Sequence, residues 1–153
     1  MITDVEKVIR EYIPQVIHLS LGTSKDNIPW VSELHYAYDE NLNLYFKSLP
    51  STRHCKELTE NPTVAGNIIR QHNPGEKPRG VYFEGKCEIV KDLSEDNAGF
   101  KAFSERFGID KSTIEEAKDP NAHQMYKISI MKFYVFDTIE SKPSQKYELV
   151  WQN

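Results

Sequence analysis

Between Phe46 and Pro62 the chain reads FKSLPSTRHCKELTENP, which gathers Ser48, Ser51, Thr52, Arg53 and His54 into one short stretch. All five carry hydrogen-bond donors. Arg53 can grip an oxyanion with two parallel N–H bonds, the hydroxyls add single donors, and His54 adds another, most strongly when protonated. A helix beginning near Thr52 would contribute its unpaired amides and the positive end of its dipole. The chemistry that fits is the binding of an anion, with phosphate the first choice. A plainer arrangement fits the same residues: Ser51 or Thr52 caps the helix while Arg53 and His54 lie in solvent.

Other chemistries find little support. The chain has no GxxxxGK[ST], GxGxxG or GxSxG run, which leaves Walker-type, Rossmann and hydrolase-elbow sites without a signature. His18, His35, His54, His72 and His123 are dispersed and form no HExxH pairing, so each is expected to be a surface or half-buried structural residue. The acidic pairs Glu115-Glu116 and Asp39-Glu40 fall in a solvated helix face and a turn. Cys55 and Cys87 are far apart and outside any CxxC spacing, which argues against a disulfide framework or thiolate zinc site and suits a reducing, cytoplasmic setting.

The bulk numbers agree with a modest, soluble protein. At 153 residues the chain has the size of one domain, taken here as residues 1–153. Lys and Arg number 19 against 23 Asp and Glu, both signs are scattered, and no basic block is longer than two residues, so a nucleic-acid partner is not expected. No apolar run is long enough for a signal core or membrane span.

The elements that must position the anion site follow from periodicity. Thr3 and Glu6 have the spacing of a capping box, and Val5, Val8, Ile9 and Tyr12 share one face of a short helix ending near Pro14. A hairpin is expected across VIHLSLGTSKDNIPWVSELHYAY, turning at Lys25-Asp26-Asn27. After a turn at Asp39-Glu40-Asn41, a strand places Leu42, Leu44, Phe46 and Ser48 on one face and Asn43, Tyr45 and Lys47 on the other.

Cys55 and Leu58 then take helical spacing, and Pro62 closes that helix. VAGNII is a strand, and GVYFEGKCEIV another, in which Gly85 marks a bulge or a close backbone approach. From Ser94 a helix carries Phe100, Phe103 and Phe107 and stops at Gly108. A brief helical piece follows Asp110, then the long strand YKISIMKFYVFD and a short one, YELVW. Six or seven strands joined mostly by short turns predict a mainly β fold: an antiparallel β-barrel with a few short peripheral α-helices.

Set in that order, LYFKSLPSTRHCKELTENPTVA resembles the signature of the pyridoxamine 5′-phosphate oxidase-like, FMN-binding split-barrel superfamily: a strand ending in a hydroxyl residue, a Ser/Thr-Arg-Lys type triplet, a short helix and Asn-Pro. GVYFEGKCEIVKDLSEDNAGFKAFSERF looks like the glycine-containing strand and helix that follow, and YKISIMKFYVFD like the long late strand. The chain is most similar to a short branch in which Arg-His replaces Arg-Lys and Arg79-Gly80-Val81 precedes the glycine strand.

The resemblance implies that Arg53, His54, Thr52 and Ser48 hold an FMN phosphate. It also implies a split form of that barrel, with the flavin ring along the strand Trp30-Val31-Ser32-Glu33-Leu34-His35 through backbone groups, Ser32, Glu33 and Leu34 foremost, and beside Arg79 and Gly80. It further implies a homodimer with cofactor sites at the interface, completed by partner residues around Phe136 or Lys146. His54 in place of lysine exchanges a permanent charge for a titratable one, with FMN affinity expected to be weaker or dependent on pH. IESKPSQKYEL lacks the arginines and histidine of the true oxidase, so pyridoxine phosphate oxidation is not expected. The implied function is an FMN-dependent oxidoreductase passing hydride or electrons to a small-molecule acceptor, with Tyr36, His35 and Glu33 as acid–base candidates by proximity only. The alternatives are a non-catalytic cofactor-binding or sensor protein, holding FMN, haem or a deazaflavin, and a plain structural domain.

Overall fold

The computed structural model describes residues 4–137 and 145–152. The elements run α1 (Asp4–Tyr12), a 3-10 turn (Ile13–Gln15), β1 (His18–Lys25), β2 (Ile28–His35), β3 (Ala37–Tyr38), β4 (Leu44–Ser48), α2 (Arg53–Glu60) and β5 (Thr63–Ile68). They continue with β6 (Gly80–Ile89), α3 (Ala98–Phe107), α4 (Ser112–Glu116), β7 (Gln124–Asp137) and β8 (Gln145–Val150).

Every strand pairing is antiparallel, in the order β2-β1-β5-β6-β7-β4-β3, with β8 also on β7. The split arises on β7, whose Gln124–Ile128 half pairs with β4 while Lys132–Asp137 pairs with β8. The β1–β2 turn is tight because Asp26 and Asn27 both adopt positive φ, 51° and 63°, the geometry that matches strand twist in a two-residue hairpin.

Alternation sends Leu19 and Leu21 of β1 inward, with Val64 and Ile68 of β5, Val81 and Phe83 of β6, and Phe133 and Val135 of β7. Ile9, Tyr12 and Ile13 complete the same core. Thr3, the expected cap of α1, lies outside the described residues. Gly85 fulfils both sequence readings: register shifts between Glu84 and Gly85, and a Cβ there would stand 2.5 Å from the Ser129 carbonyl oxygen.

Some boundaries differ from expectation. Leu42 is fully buried, as its alternation predicts, yet it sits in the turn at φ 58° and not in β4. The Asp39 carboxylate fixes that turn by accepting from the Asn41 and Asn43 amides at 2.9 and 3.0 Å. Tyr45, expected on the outer face of β4, is also buried, because α3 covers that face in a second cluster of Ala37, Tyr45, Phe103 and Met125. The helix expected from Ser94 begins at Ala98, where the Asn97 side chain accepts from the Gly99 and Phe100 amides. Its end at Gly108, φ 70°, is as expected. Among the described residues eight strands replace six or seven, since β3 is a two-residue piece split from β2 at Tyr36.

Candidate functional site

Pro50 and Pro62 bracket α2, and its first turn brings Thr52, Arg53 and His54 beside β2 and β4. Thr52 is the N-cap residue but makes no side-chain cap; its hydroxyl donates instead to the Leu49 carbonyl at 2.8 Å. The helix therefore begins without a side-chain acceptor for its first amides, which is the condition under which an anion is favoured there.

Arg53 is held on two sides. Its Nε donates to Glu57 Oε1 at 3.2 Å, one turn along α2, and its guanidinium carbon lies 4.2 Å over the Trp30 ring of β2. No hydrogen bond from its two terminal amino groups is made among the described residues. Glu57 is buried, and its other oxygen accepts from Thr23 Oγ1 at 2.6 Å. The Thr23 hydrogen bond is the largest influence on this carboxyl; burial opposes it, and Arg53 adds to it, so the group is held below the ordinary carboxylate value.

His54 is turned inward and is 8% exposed. Its Nε2 lies 2.8 Å from Ser48 Oγ and its Nδ1 3.1 Å from Ser32 Oγ, with Thr52 Oγ1 at 3.3 Å from Nε2. A neutral imidazole satisfies this arrangement by donating through one nitrogen and accepting at the other, with the hydroxyls rotating to match. His54 therefore does not lie in solvent but faces hydroxyls of the chain with both ring nitrogens, and Thr52 stands at the N-cap without a side-chain cap.

Beside His54, Cys55 is buried with Tyr126, whose ring stacks on Phe46 at 5.1 Å between centroids. Burial opposes ionisation of Cys55, but hydrogen bonding with His54, Thr52, Tyr126 and Ser48 outweighs it and holds the thiol below its ordinary value. Burial drives Cys87 and Tyr126 the opposite way.

Of the expected site residues, the structure brings together Ser32, Ser48, Thr52, Arg53 and His54. Glu33 points to the other face of β2, where it accepts from Ser20 Oγ at 2.8 Å and lies 3.6 Å from His18. Leu34 packs against the core. Arg79 and Gly80 are not brought to this cluster within one chain: β1 and β5 separate β6 from β2, and the Arg79 carbonyl accepts from Tyr12 near α1. Phe136 and Lys146 are register partners on β7 and β8, with Lys146 Nζ 4.0 Å over the Tyr134 ring.

Sequence reasoning missed Trp30 as a side chain, and with it Glu57, Thr23 and Tyr126. The four-residue spacing of Arg53 and Glu57 was the available signal; no local pattern ties Trp30 or Thr23 to α2. Among the described residues no group of three or more His, Cys, Asp or Glu side chains is placed to hold a metal, and no helix is long and apolar enough to cross a membrane.

A curled antiparallel sheet split at β7, with a few short helices packed on it, defines the split-barrel class of folds. The chain belongs to the pyridoxamine 5′-phosphate oxidase family, whose sequence model matches residues 5–137. It is 29% identical over 145 residues to the UPF0306 protein of Pasteurella multocida, covering 93% of this chain and 95% of that one. Its fold is similar to that of an FAD-binding protein from Mesorhizobium loti, with TM-score 0.65, 22% identity, and 87% and 92% of the two chains covered. It is similar too to a heme binding protein from Mycobacterium smegmatis, with TM-score 0.66, 12% identity, and 90% of this chain and 55% of that one covered.

Proposed function

We propose that the chain is an FMN-binding oxidoreductase that passes hydride or electrons to a small-molecule acceptor. The observation that carries this reading is Arg53, stacked on Trp30 with both terminal amino groups uncommitted at the uncapped start of α2. Two parallel N–H bonds from Arg53 and the first α2 amides suit the dianionic phosphate of a flavin mononucleotide. Ser51 and the Thr52 backbone lie at the same helix start, while Ser48, Ser32 and His54 brace the cradle from within. β2 pairs with β1 on one side only among the described residues, which leaves main-chain groups on its other edge for the rim of a planar ring. Flavin, when bound, supplies the redox chemistry; the chain supplies anchorage, orientation and a dry surface.

A second copy fits the same reading. Ile28 and Trp30 on one face of edge strand β2 and Val31 on the other are exposed at 59%, 41% and 65%, apolar side chains beside an edge suited to pairing. A homodimer would also let Arg79, Gly80 or Lys146 of one copy approach the Arg53 cluster of the other. Cofactor held without turnover is the competing reading, favoured by one feature: both ring nitrogens of His54 are already occupied by hydroxyls, so the cluster offers no free acid–base group at its centre.

The test is native mass spectrometry of the purified chain followed by FMN and riboflavin titrations of the parent and Arg53→Ala. A dimer mass with bound FMN, and a loss of FMN affinity of about 30-fold or more in the variant, is expected for a charge-assisted bidentate contact. Unchanged FMN affinity in Arg53→Ala would sink the phosphate assignment. Bound flavin that NAD(P)H does not reduce, across a panel of acceptors, would favour cofactor storage or sensing. A Soret band on adding haem would redirect the assignment.

A further inference from the structure

We infer that Glu57, seated by Thr23, is a positioning residue that aims Arg53 at the phosphate and thereby sets the preference for a phosphorylated flavin over the free one. The inference rests on the FMN reading above.

An exposed arginine explores many rotamers, and each one it loses on binding costs affinity. Arg53 is spared much of that search. Nε is fixed by Glu57 Oε1 at 3.2 Å, and the planar guanidinium is laid 4.2 Å over Trp30, so two constraints of different kind act on one group. The Nε bond uses one N–H and leaves the terminal pair, the pair that matches two phosphate oxygens.

Glu57 can do this because it does not itself wander. It is 5% exposed, on the inner side of α2, and Thr23 Oγ1 from β1 donates to its second oxygen at 2.6 Å. Thr23 is 3% exposed. A chain of two hydrogen bonds thus runs from a core strand to the arginine, and a threonine 30 residues upstream in sequence determines where the guanidinium points. Glu57 also carries a negative charge, which on its own would oppose binding of an anion. The arrangement therefore separates two effects of opposite sign, orientation and repulsion, and substitutions can tell them apart.

The experiment compares the parent chain with Glu57→Gln, Glu57→Leu, Thr23→Val and Arg53→Ala, each titrated with FMN and with riboflavin. Gln keeps an acceptor for Arg53 Nε and a partner for Thr23, and removes the charge; FMN affinity within about twofold of the parent, or higher, is expected. Leu removes the acceptor, and FMN affinity falls by about tenfold while riboflavin affinity holds. Thr23→Val loosens Glu57 and weakens FMN by a smaller factor, and it carries the test if Glu57→Leu does not fold.

A second readout needs no flavin. In a Trp151→Phe background Trp30 is the remaining tryptophan, and its quenching by acrylamide rises in Glu57→Leu as Arg53 leaves the ring, but not in Glu57→Gln. FMN affinity that is unchanged or improved in Glu57→Leu, with Arg53→Ala still impaired, overturns the positioning role and leaves the FMN reading standing. An equal loss of FMN and riboflavin affinity in Glu57→Leu also overturns it, as damage to the fold. Unchanged FMN affinity in Arg53→Ala removes both.

Discussion

His54 Nε2 lies 2.8 Å from Ser48 Oγ, and through its other nitrogen the same ring reaches Ser32 Oγ at 3.1 Å, so one buried imidazole ties α2 to both β4 and β2. Where the resemblance led us to expect a lysine-like donor for phosphate, the geometry provides a cross-brace. A buried polar group that loses its partner costs about 1–3 kcal/mol, so His54→Ala should destabilise the chain by about that amount in urea unfolding. His54→Lys should do no better, since an ammonium would be placed among side chains with little water. Full stability in His54→Ala combined with lost FMN binding would reverse the assignment and return His54 to the phosphate.

Acid should loosen the Arg53 anchor before it unfolds the rest. Thr23 and Arg53 hold the Glu57 carboxyl below its ordinary value, so its folded pKa is depressed relative to the unfolded chain. A depressed carboxyl contributes stability that is fully present above the unfolded value of about 4.3 and is lost as pH falls through the folded value. The stability difference between the parent and Thr23→Val should therefore be largest near neutral pH and shrink below about pH 4. Denaturant unfolding across that range checks it, and a difference that grows on acidification would show that the shift has the opposite sign.

How far the site could be read in advance depended on the range of each contact. α2 was legible because Pro50, Pro62 and the Cys55–Leu58 spacing are local signals, and its observed limits are Arg53 and Glu60. β6 was legible because Val81, Phe83, Gly85 and Cys87 alternate and are buried in that order, although Ile89, expected on the same face, is 41% exposed at the strand's end. The destination of His54 was not legible: it depends on Ser32, which reaches it only after β2 folds back through the β1–β2 hairpin. Tyr45 was misplaced for the same kind of reason, since an alternating strand shows which residues share a face but not that a helix 50 residues on will cover the second one.

Arg106 illustrates a charge whose role is structural. From α3 it donates to the Tyr36 carbonyl at 3.1 Å and the Val16 carbonyl at 2.5 Å, and its guanidinium lies 4.6 Å over the Tyr36 ring. The Tyr36 carbonyl lies where β2 breaks and β3 begins, the Val16 carbonyl at the end of the 3-10 turn before β1, and Arg106 satisfies both. Arg106→Ala should cost about 3–6 kcal/mol, the sum expected for two hydrogen bonds from a charged group at roughly 1.5–3 kcal/mol each. Arg106→Lys should recover only part of this, because an ammonium cannot span both carbonyls and stack. Thermal unfolding of the two variants decides it, and loss of FMN affinity without loss of stability would assign Arg106 to the site instead.

The two cysteines should titrate apart. Cys87 faces the core and is pushed up first by burial and then by the charges of Cys55 and Glu88. Cys55 is as buried, yet His54, Thr52, Tyr126 and Ser48 supply hydrogen bonds that favour its thiolate enough to outweigh that burial. Tyr126 is pushed upward, first by its own burial and then by Cys55, and so keeps its proton over the range in which Cys55 titrates. In an alkaline titration followed by thiolate absorbance in the ultraviolet, a step present in Cys87→Ser and missing in Cys55→Ser should appear below the ordinary cysteine value. His54→Ala should move that step upward, because the imidazole that most favours the thiolate is gone. A step that stays in place when His54 is removed would separate the thiol from the imidazole and leave Thr52, Tyr126 and Ser48 to account for its position.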